Sequence, residues 1–184
     1  MHSSEKLLLT QGSPRKGGNC DVLMDEMIKG IEENGGEVTK YYLEDQEIAP
    51  CKACMYCAEN PDCVRNDDGN KILDEMLEAD GVIFATPVYY GQMSAQGKLI
   101  IDRFYGIGQN PNKSLSGKAA LIFTENQPEH TYDAYIELTK ASPFEFMGYE
   151  VIGHVDAGNA GPAGIVAEEQ KDKLKEAYEL GLKF

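Results

Sequence analysis

The chain has 184 residues, a length that suits one domain, and its 17 Lys and Arg against 31 Asp and Glu leave a formal charge of −14. That acidity, with no basic stretch, excludes nucleic acid as the expected partner, and no apolar run nears the roughly 20 residues of a membrane span. The composition, 42% hydrophobic and 26% charged, is globular; Leu7–Leu9 is too short for a signal-peptide core, so the cytoplasm is the expected location.

Apolar runs alternate with helical stretches along the chain. Lys6 to Gln11 (KLLLTQ) reads as a buried strand. From Asn19 to Asn34, Leu23, Met27 and Ile31 share one helical face, and Asn34-Gly35-Gly36 closes the helix. Glu37 to Leu43 has strand character. Glu44 to Asp68 has no clear period and holds four cysteines, and Asp68-Gly69 then opens a helix through Leu77. Asp67 and Asp68 suit helix capping. Gly81 to Thr86 is a fully apolar strand that Pro87 is expected to break. A helix from about Ser94 to Tyr105 follows, then a strand from Lys118 to Thr124 and a weaker helix over about Tyr132 to Phe144. The last strand is Tyr149 to Val155, and one closing helix covers about Val166 to Gly181.

Five β-α units with strands apolar on both faces predict an α/β domain over residues 1–184: a three-layer, five-stranded parallel sheet in the order 2-1-3-4-5. The segment at about 44–68 is a cysteine-rich insertion in it. Such sheets bind ligands beyond the carboxyl ends of their strands, where the strand order reverses. The loops after strands one and three meet there, and they are the two most unusual in the chain.

The first loop, from Gly12 to Cys20, has the chemistry of an anion cradle. Its glycines bare backbone N–H groups, and a helix begins near Asn19. Ser13 and Asn19 add side-chain donors, and Arg15 and Lys16 make a basic spot. A plain β-to-α turn capped by Asn19 is the alternative. No Walker loop is present, because Gly97-Lys98 precedes Leu99 and Gly117-Lys118 precedes Ala119, and Gly106-x-Gly108 lacks the dinucleotide pattern. Cysteine-based phosphatase chemistry is excluded, since no cysteine has an arginine six positions later. The second loop, Pro87 to Ser94, offers Val88, Tyr89, Tyr90, Gly91 and Met93 as an apolar and aromatic slot for a flat ring. Half-buried turn tyrosines are its bland reading. Cradle and slot together describe a mononucleotide, with FMN the leading candidate.

Three stretches carry a family resemblance: GSPRKGGNC at 12–20, PCKACMYC…C…NDDG from Pro50 to Gly69, and TPVYYGQMSAQGKLIIDR from Thr86 to Arg103. They resemble the flavodoxin-like NAD(P)H-dependent FMN reductases, and more closely their iron–sulfur flavoprotein branch, up to about residue 125. The resemblance implies a 5′-phosphate on Ser13, Arg15, Gly18, Asn19 and Cys20, with Lys16 beside them. It implies an isoalloxazine against Pro87, Val88, Tyr89, Tyr90, Gly91 and Met93, with Ser94 at the end of that loop. Glu125 and Asn126 are assigned to the flavin edge. A homodimer or homotetramer is implied, the neighbouring subunit helping to cover the flavin. Cys20 stands where a hydroxyl residue is commoner, and Gly97 interrupts a helix at about 1 kcal/mol relative to Ala.

Cys51, Cys54, Cys57 and Cys63, spaced C-x2-C-x2-C-x5-C, resemble the compact ligand set of a [4Fe–4S] cluster. Free or redox-active thiols and zinc are the alternatives. His130 and His154 read as surface or strand-edge residues, and His2 belongs to a terminus expected to fray. The expected activity is an FMN-dependent oxidoreductase taking hydride from NAD(P)H and passing electrons to a small-molecule or protein acceptor. A non-catalytic flavin-binding electron carrier and a zinc-stabilised interaction domain are the rival readings.

Overall fold

The computed structural model describes residues 4–184, so the expectation for His2 lies outside the described residues. Strands β1 (Lys6–Gln11), β2 (Glu37–Tyr42), β3 (Gly81–Tyr89), β5 (Lys118–Thr124) and β6 (Glu150–Ala157) form a parallel sheet in the order β2-β1-β3-β5-β6. This is the expected 2-1-3-4-5 order with one short strand added, β4 (Gln92–Met93), which pairs antiparallel with the end of β3. The helices are α1 (Asn19–Glu33), α2 (Tyr56–Glu59), α3 (Asp68–Glu78), α4 (Ala95–Gln109), α5 (Asp133–Thr139), α6 (Ile165–Glu169) and α7 (Lys171–Gly181).

Two cores sandwich the sheet because alternate strand residues point to opposite faces. Leu8, Val82, Phe84, Leu121 and Phe123 pack on α3 and α4 through Ile72, Met76, Ile100 and Phe104. Leu7, Leu9, Ile83, Ile122 and Val155 pack on α1 and α7 through Leu23, Met27, Ile31 and Leu180. Gly97 on α4 is where the Phe84 ring presses in, since a Cβ there would stand 2.9 Å from Phe84 Cζ.

Four local expectations are corrected. Pro87 does not break β3: it pairs with Thr124 on the β5 side, and the β1 ladder has already ended at Ala85, so its missing N–H disrupts no β1 pairing. The helix predicted over 132–144 ends at Thr139 and becomes a wide turn through Glu145, because Ser142 precedes Pro143 and is forced out of helical geometry. The single closing helix is two, parted at Gln170, whose side chain donates to the Gly158 carbonyl at 2.7 Å. Asp67 occupies the N-cap of α3 without capping it, since its carboxylate serves Arg103 and the Ala49 N–H instead.

Helices α1 and α7 approach until backbone meets backbone. A Cβ on Gly30 would lie 2.3 Å from the Tyr178 carbonyl oxygen, and one on Gly181 would lie 2.1 Å from that of Met27. At an open helical site Gly→Ala gains about 1 kcal/mol in propensity. Gly30→Ala is expected to do the reverse, lowering stability by about 1–3 kcal/mol through overpacking, read as a lower urea midpoint.

Candidate functional site

At the carboxyl edge of the sheet, the loops after β1, β3, β5 and β6 line one open cleft of about 420 Å³. Ser13, Arg15, Asn19 and Cys20 come from the first loop, Pro87, Val88 and Tyr89 from the end of β3, and Thr124, Glu125 and Asn126 from the end of β5. Ala160, Gly161 and Pro162, after β6, complete it.

The cradle is built by local hydrogen bonds. Gln11 ends β1 and its side-chain oxygen takes the Ser13 N–H, while Ser13 Oγ accepts from the Arg15 N–H at 3.1 Å. Gly18 is the N-cap of α1 and has no side chain to cap with, so the N–H groups of Asn19 and Cys20 open the helix without intrahelical acceptors. Arg15 Nη1 reaches the Gly161 carbonyl at 3.3 Å from an exposed position. The Asn19 side chain is fully engaged: it donates to Ala160 O at 2.7 Å and Pro162 O at 2.8 Å, and accepts from Gly164 N at 3.0 Å and Val166 N at 3.3 Å. What it leaves for a ligand is its backbone N–H.

Nine of the fifteen residues assigned to the cofactor line this cleft, and six do not. Lys16 turns to Asp45 at 2.5 Å and lies over the Tyr42 ring. Gly18 sits behind the cradle as the cap. Tyr90 and Gly91, at φ 52° and 76°, form the two-residue turn between β3 and β4, which leaves Tyr90 wholly in solvent. Met93 packs against the core, and its N–H donates to Tyr135 Oη at 2.6 Å. Ser94 is buried: its hydroxyl donates to Gly12 O at 2.6 Å and caps α4 by accepting from Gly97 N at 3.1 Å. Sequence reasoning missed Thr124 and the 160–162 loop, although the glycine-rich run 156–164 after the last strand was a signal for the latter.

Two ionisable groups in the cleft are perturbed. Burial pushes the Cys20 thiol up to about 12, only partly offset by its 3.1 Å contact with Thr124 Oγ1, so it is neutral. Glu125 is raised to about 7, by burial first and then by Asp156, Asp133 and Glu129.

The second centre lies beside α4. Cys51, Cys54, Cys57 and Cys63 line one cavity of about 40 Å³ with Met55, Tyr56, Tyr105 and Ile107. Left-handed backbone at Ala53 and Met55 winds the loop around it. Gly106 admits the Cys57 side chain, since a Cβ there would stand 3.1 Å from Cys57 Sγ. Burial, and then the neighbouring Cys63, Cys51 and Cys54, push the Cys57 thiol up. Four soft sulfur donors suit iron–sulfur chemistry in kind and number. Among the described residues no three side chains yet converge as a ligand group, so the thiols share a cavity rather than a point.

One buried cation holds that loop in place. Arg103 is 2% exposed; Nη1 donates to both Asp67 oxygens at 2.9 Å and to Ala49 O at 3.2 Å, and Nη2 donates to Asn70 Oδ1. Asn70 passes the restraint to Cys63 O at 3.1 Å, and Asn110 holds Cys57 O at 2.8 Å. Burial alone would raise the Asp67 carboxyl, but Arg103 and the Ala49 N–H outweigh it and hold it below the usual carboxylate range.

Comparison with known proteins decides the family. The family model described as NADPH-dependent FMN reductase matches residues 6–146. The chain is 33% identical over 171 residues to an iron–sulfur flavoprotein of Archaeoglobus fulgidus, covering 91% of this chain and 78% of that one. The chain belongs to the NADPH-dependent FMN reductase family, in its iron–sulfur flavoprotein branch. An iron–sulfur flavoprotein of Methanocaldococcus jannaschii is 38% identical over 128 residues, covering 68% of this chain and 66% of its own. Among solved structures, an NAD(P)H:quinone oxidoreductase from Methanothermobacter marburgensis shares the fold with a TM-score of 0.74 at 15% identity, over 98% of this chain and 96% of that one. As a member of the FMN reductase family the chain is a flavin-dependent oxidoreductase. No helix among the described residues is long and apolar enough to cross a membrane.

Arg103→Ala would strand the Asp67 carboxylate beside a cavity. It is expected to cost about 3–5 kcal/mol in chemical denaturation, and to speed alkylation of Cys57 and Cys63 by a bulky maleimide in the metal-free protein.

Proposed function

We propose that FMN occupies the cleft at the carboxyl edge of the sheet and that the chain takes hydride from NAD(P)H and passes electrons to a small-molecule or protein acceptor. The observation that supports this best is the convergence of Ser13, Arg15 and the start of α1 with Pro87, Val88 and Tyr89 in one cleft. When bound, FMN supplies the chemistry, accepting two electrons as a hydride and releasing them singly or in pairs.

The chain's own residues seat, orient and shield. Ser13 Oγ, the Arg15 guanidinium and the free N–H groups of Asn19 and Cys20 take the phosphate, helped by the positive end of α1. Pro87, Val88 and Tyr89 bound the ring, and Asn126 offers an amide to its polar edge. Tyr89, 43% exposed, leaves an open side for donor and acceptor. Cys51, Cys54, Cys57 and Cys63 would hold a [4Fe–4S] cluster, which would supply one-electron transfer chemistry there. In this reading residues 1–184 are one FMN-binding domain, and the protein is a cytoplasmic homodimer or homotetramer.

Titration of the flavin-free protein with FMN should quench flavin fluorescence to saturation. Arg15→Ala should weaken binding about 10–100-fold, the loss of a charged hydrogen-bond donor. Anaerobic NAD(P)H should bleach the yellow complex; bound flavin that stays yellow would make the chain an electron carrier instead. Anaerobically purified protein should hold about four iron and four sulfide per chain, falling sharply in Cys57→Ser. Zinc with no sulfide would overturn the cluster assignment.

A further inference from the structure

Glu125 follows directly on β5 at the floor of the cleft. Its main chain is fastened on both sides, its N–H donating to Ala157 O at 3.0 Å and its carbonyl accepting from Ala160 N at 2.6 Å. The residue is 2% exposed, yet neither carboxyl oxygen has a hydrogen-bond partner. A buried carboxylate left so is costly, and the neutral acid is much less so.

Its surroundings favour the proton. Asp156 faces it from β6, buried and with Oδ1 also unpartnered, and receives only a 3.4 Å contact from the His130 N–H. Asp133 at the start of α5 and Glu129 in the preceding loop add negative charge, and the exposed His130 opposes them. Lys173 of α7 and His154 of β6 face Asp156, but Lys173 is committed to Glu129 and to Glu176 at 3.2 Å. Across the cleft Arg15 is the cation, and Cys20 is neutral.

Resting on the FMN reading, we propose that Glu125 is the proton acceptor of the cleft: seating a phosphorylated, anionic ligand draws up to one proton from solvent onto the Glu125 carboxylate, according to the fraction ionised beforehand. No electron moves, and the proton forms the O–H bond of the neutral acid. In the free protein the group titrates at about 7, so at neutral pH it is about half ionised. The ligand's negative charge raises it further. Between the free and bound values affinity therefore falls as pH rises, by up to about tenfold per pH unit, and levels off above the bound value.

The test is FMN titration of the flavin-free protein from pH 6.0 to 8.5, comparing wild type with Glu125→Gln. Their ratio of dissociation constants cancels the ligand's own ionisation. The ratio is expected to be flat on the acid side and to rise about tenfold or more toward pH 8.5. Mixing at pH 7.5 with an indicator should show more proton uptake in wild type than in Glu125→Gln. Asp156→Asn, which keeps Glu125 and removes a facing charge, should move the fall in affinity to lower pH. A ratio that stays constant, or affinity that rises with pH relative to Glu125→Gln, overturns the proposal and leaves FMN binding standing. So does loss of the dependence in Asp156→Asn with its retention in Glu125→Gln, which assigns the proton to Asp156. Absence of FMN binding at every pH overturns the FMN reading and this inference together.

Discussion

The side-chain amide of Asn19 commits all of its hydrogen-bonding capacity to one segment, from Ala160 to Val166. Asn19 is the first residue of α1, placed directly by the sheet through β1. The segment it holds descends from β6, two strands beyond β3 at the far edge of the sheet. This buried amide therefore fixes the distance between the cradle after β1 and the wall after β6. In a low-dielectric site a fully satisfied network of this kind is stiff, and a half-satisfied one is costly. The cleft shares this anchor: Gly161, which accepts from Arg15, lies between Ala160 and Pro162, the two residues whose carbonyls Asn19 holds.

Helix α4 plays the corresponding role between the two centres. At its N-terminus the Ser94 hydroxyl ties the helix to Gly12, at the root of the cradle. Further along, Arg103 grips Asp67, Ala49 and Asn70, Gly106 yields room to Cys57, and Asn110 holds the Cys57 carbonyl. At 1.5 Å per residue, Ser94 and Arg103 are roughly 13 Å apart along the axis. One rigid element thus sets the separation of the carboxyl-edge cleft and the cysteine cavity. The cysteine loop has little regular structure of its own; side chains on α4 and α3 impose its shape.

Legibility in the sequence followed the range of the interactions. Strands β1, β3 and β5 were readable because runs such as LLL, GVIF and AALIF can only be buried, and the switch point followed from their order. Ser13, Arg15, Pro87, Val88 and Tyr89 were readable as cleft residues because each lies within a few positions of a strand end. The side chains that do not line the cleft are held by partners or turns that residue type alone does not reveal. Lys16 looked like a ligand cation until Asp45, 29 positions on, claimed it. Ser94 counts by sequence with the cofactor residues at the end of its loop, and its hydroxyl donates to Gly12 O. Tyr90 suited a ring slot by chemistry, but a two-residue turn throws it outward. Pro87 punctuates a strand locally, and only pairing shows that β1 has no ladder left to lose there.

Those corrections change the electrostatics of the cleft. With Lys16 turned to Asp45, Arg15 is the cationic side chain lining it, in a chain whose formal charge is −14. The remaining positive potential comes from the N–H groups at the start of α1, equivalent to roughly half a charge. Opposite stand Glu125 and Asp156, buried and short of partners. A bound phosphate would carry nearly two negative charges at neutral pH, so guanidinium and helix end together would leave no surplus to offset an ionised floor. Neutralising the floor with a proton is the least costly way to restore the balance. It needs no rearrangement of a backbone that Ala157 and Ala160 already hold on both sides of Glu125.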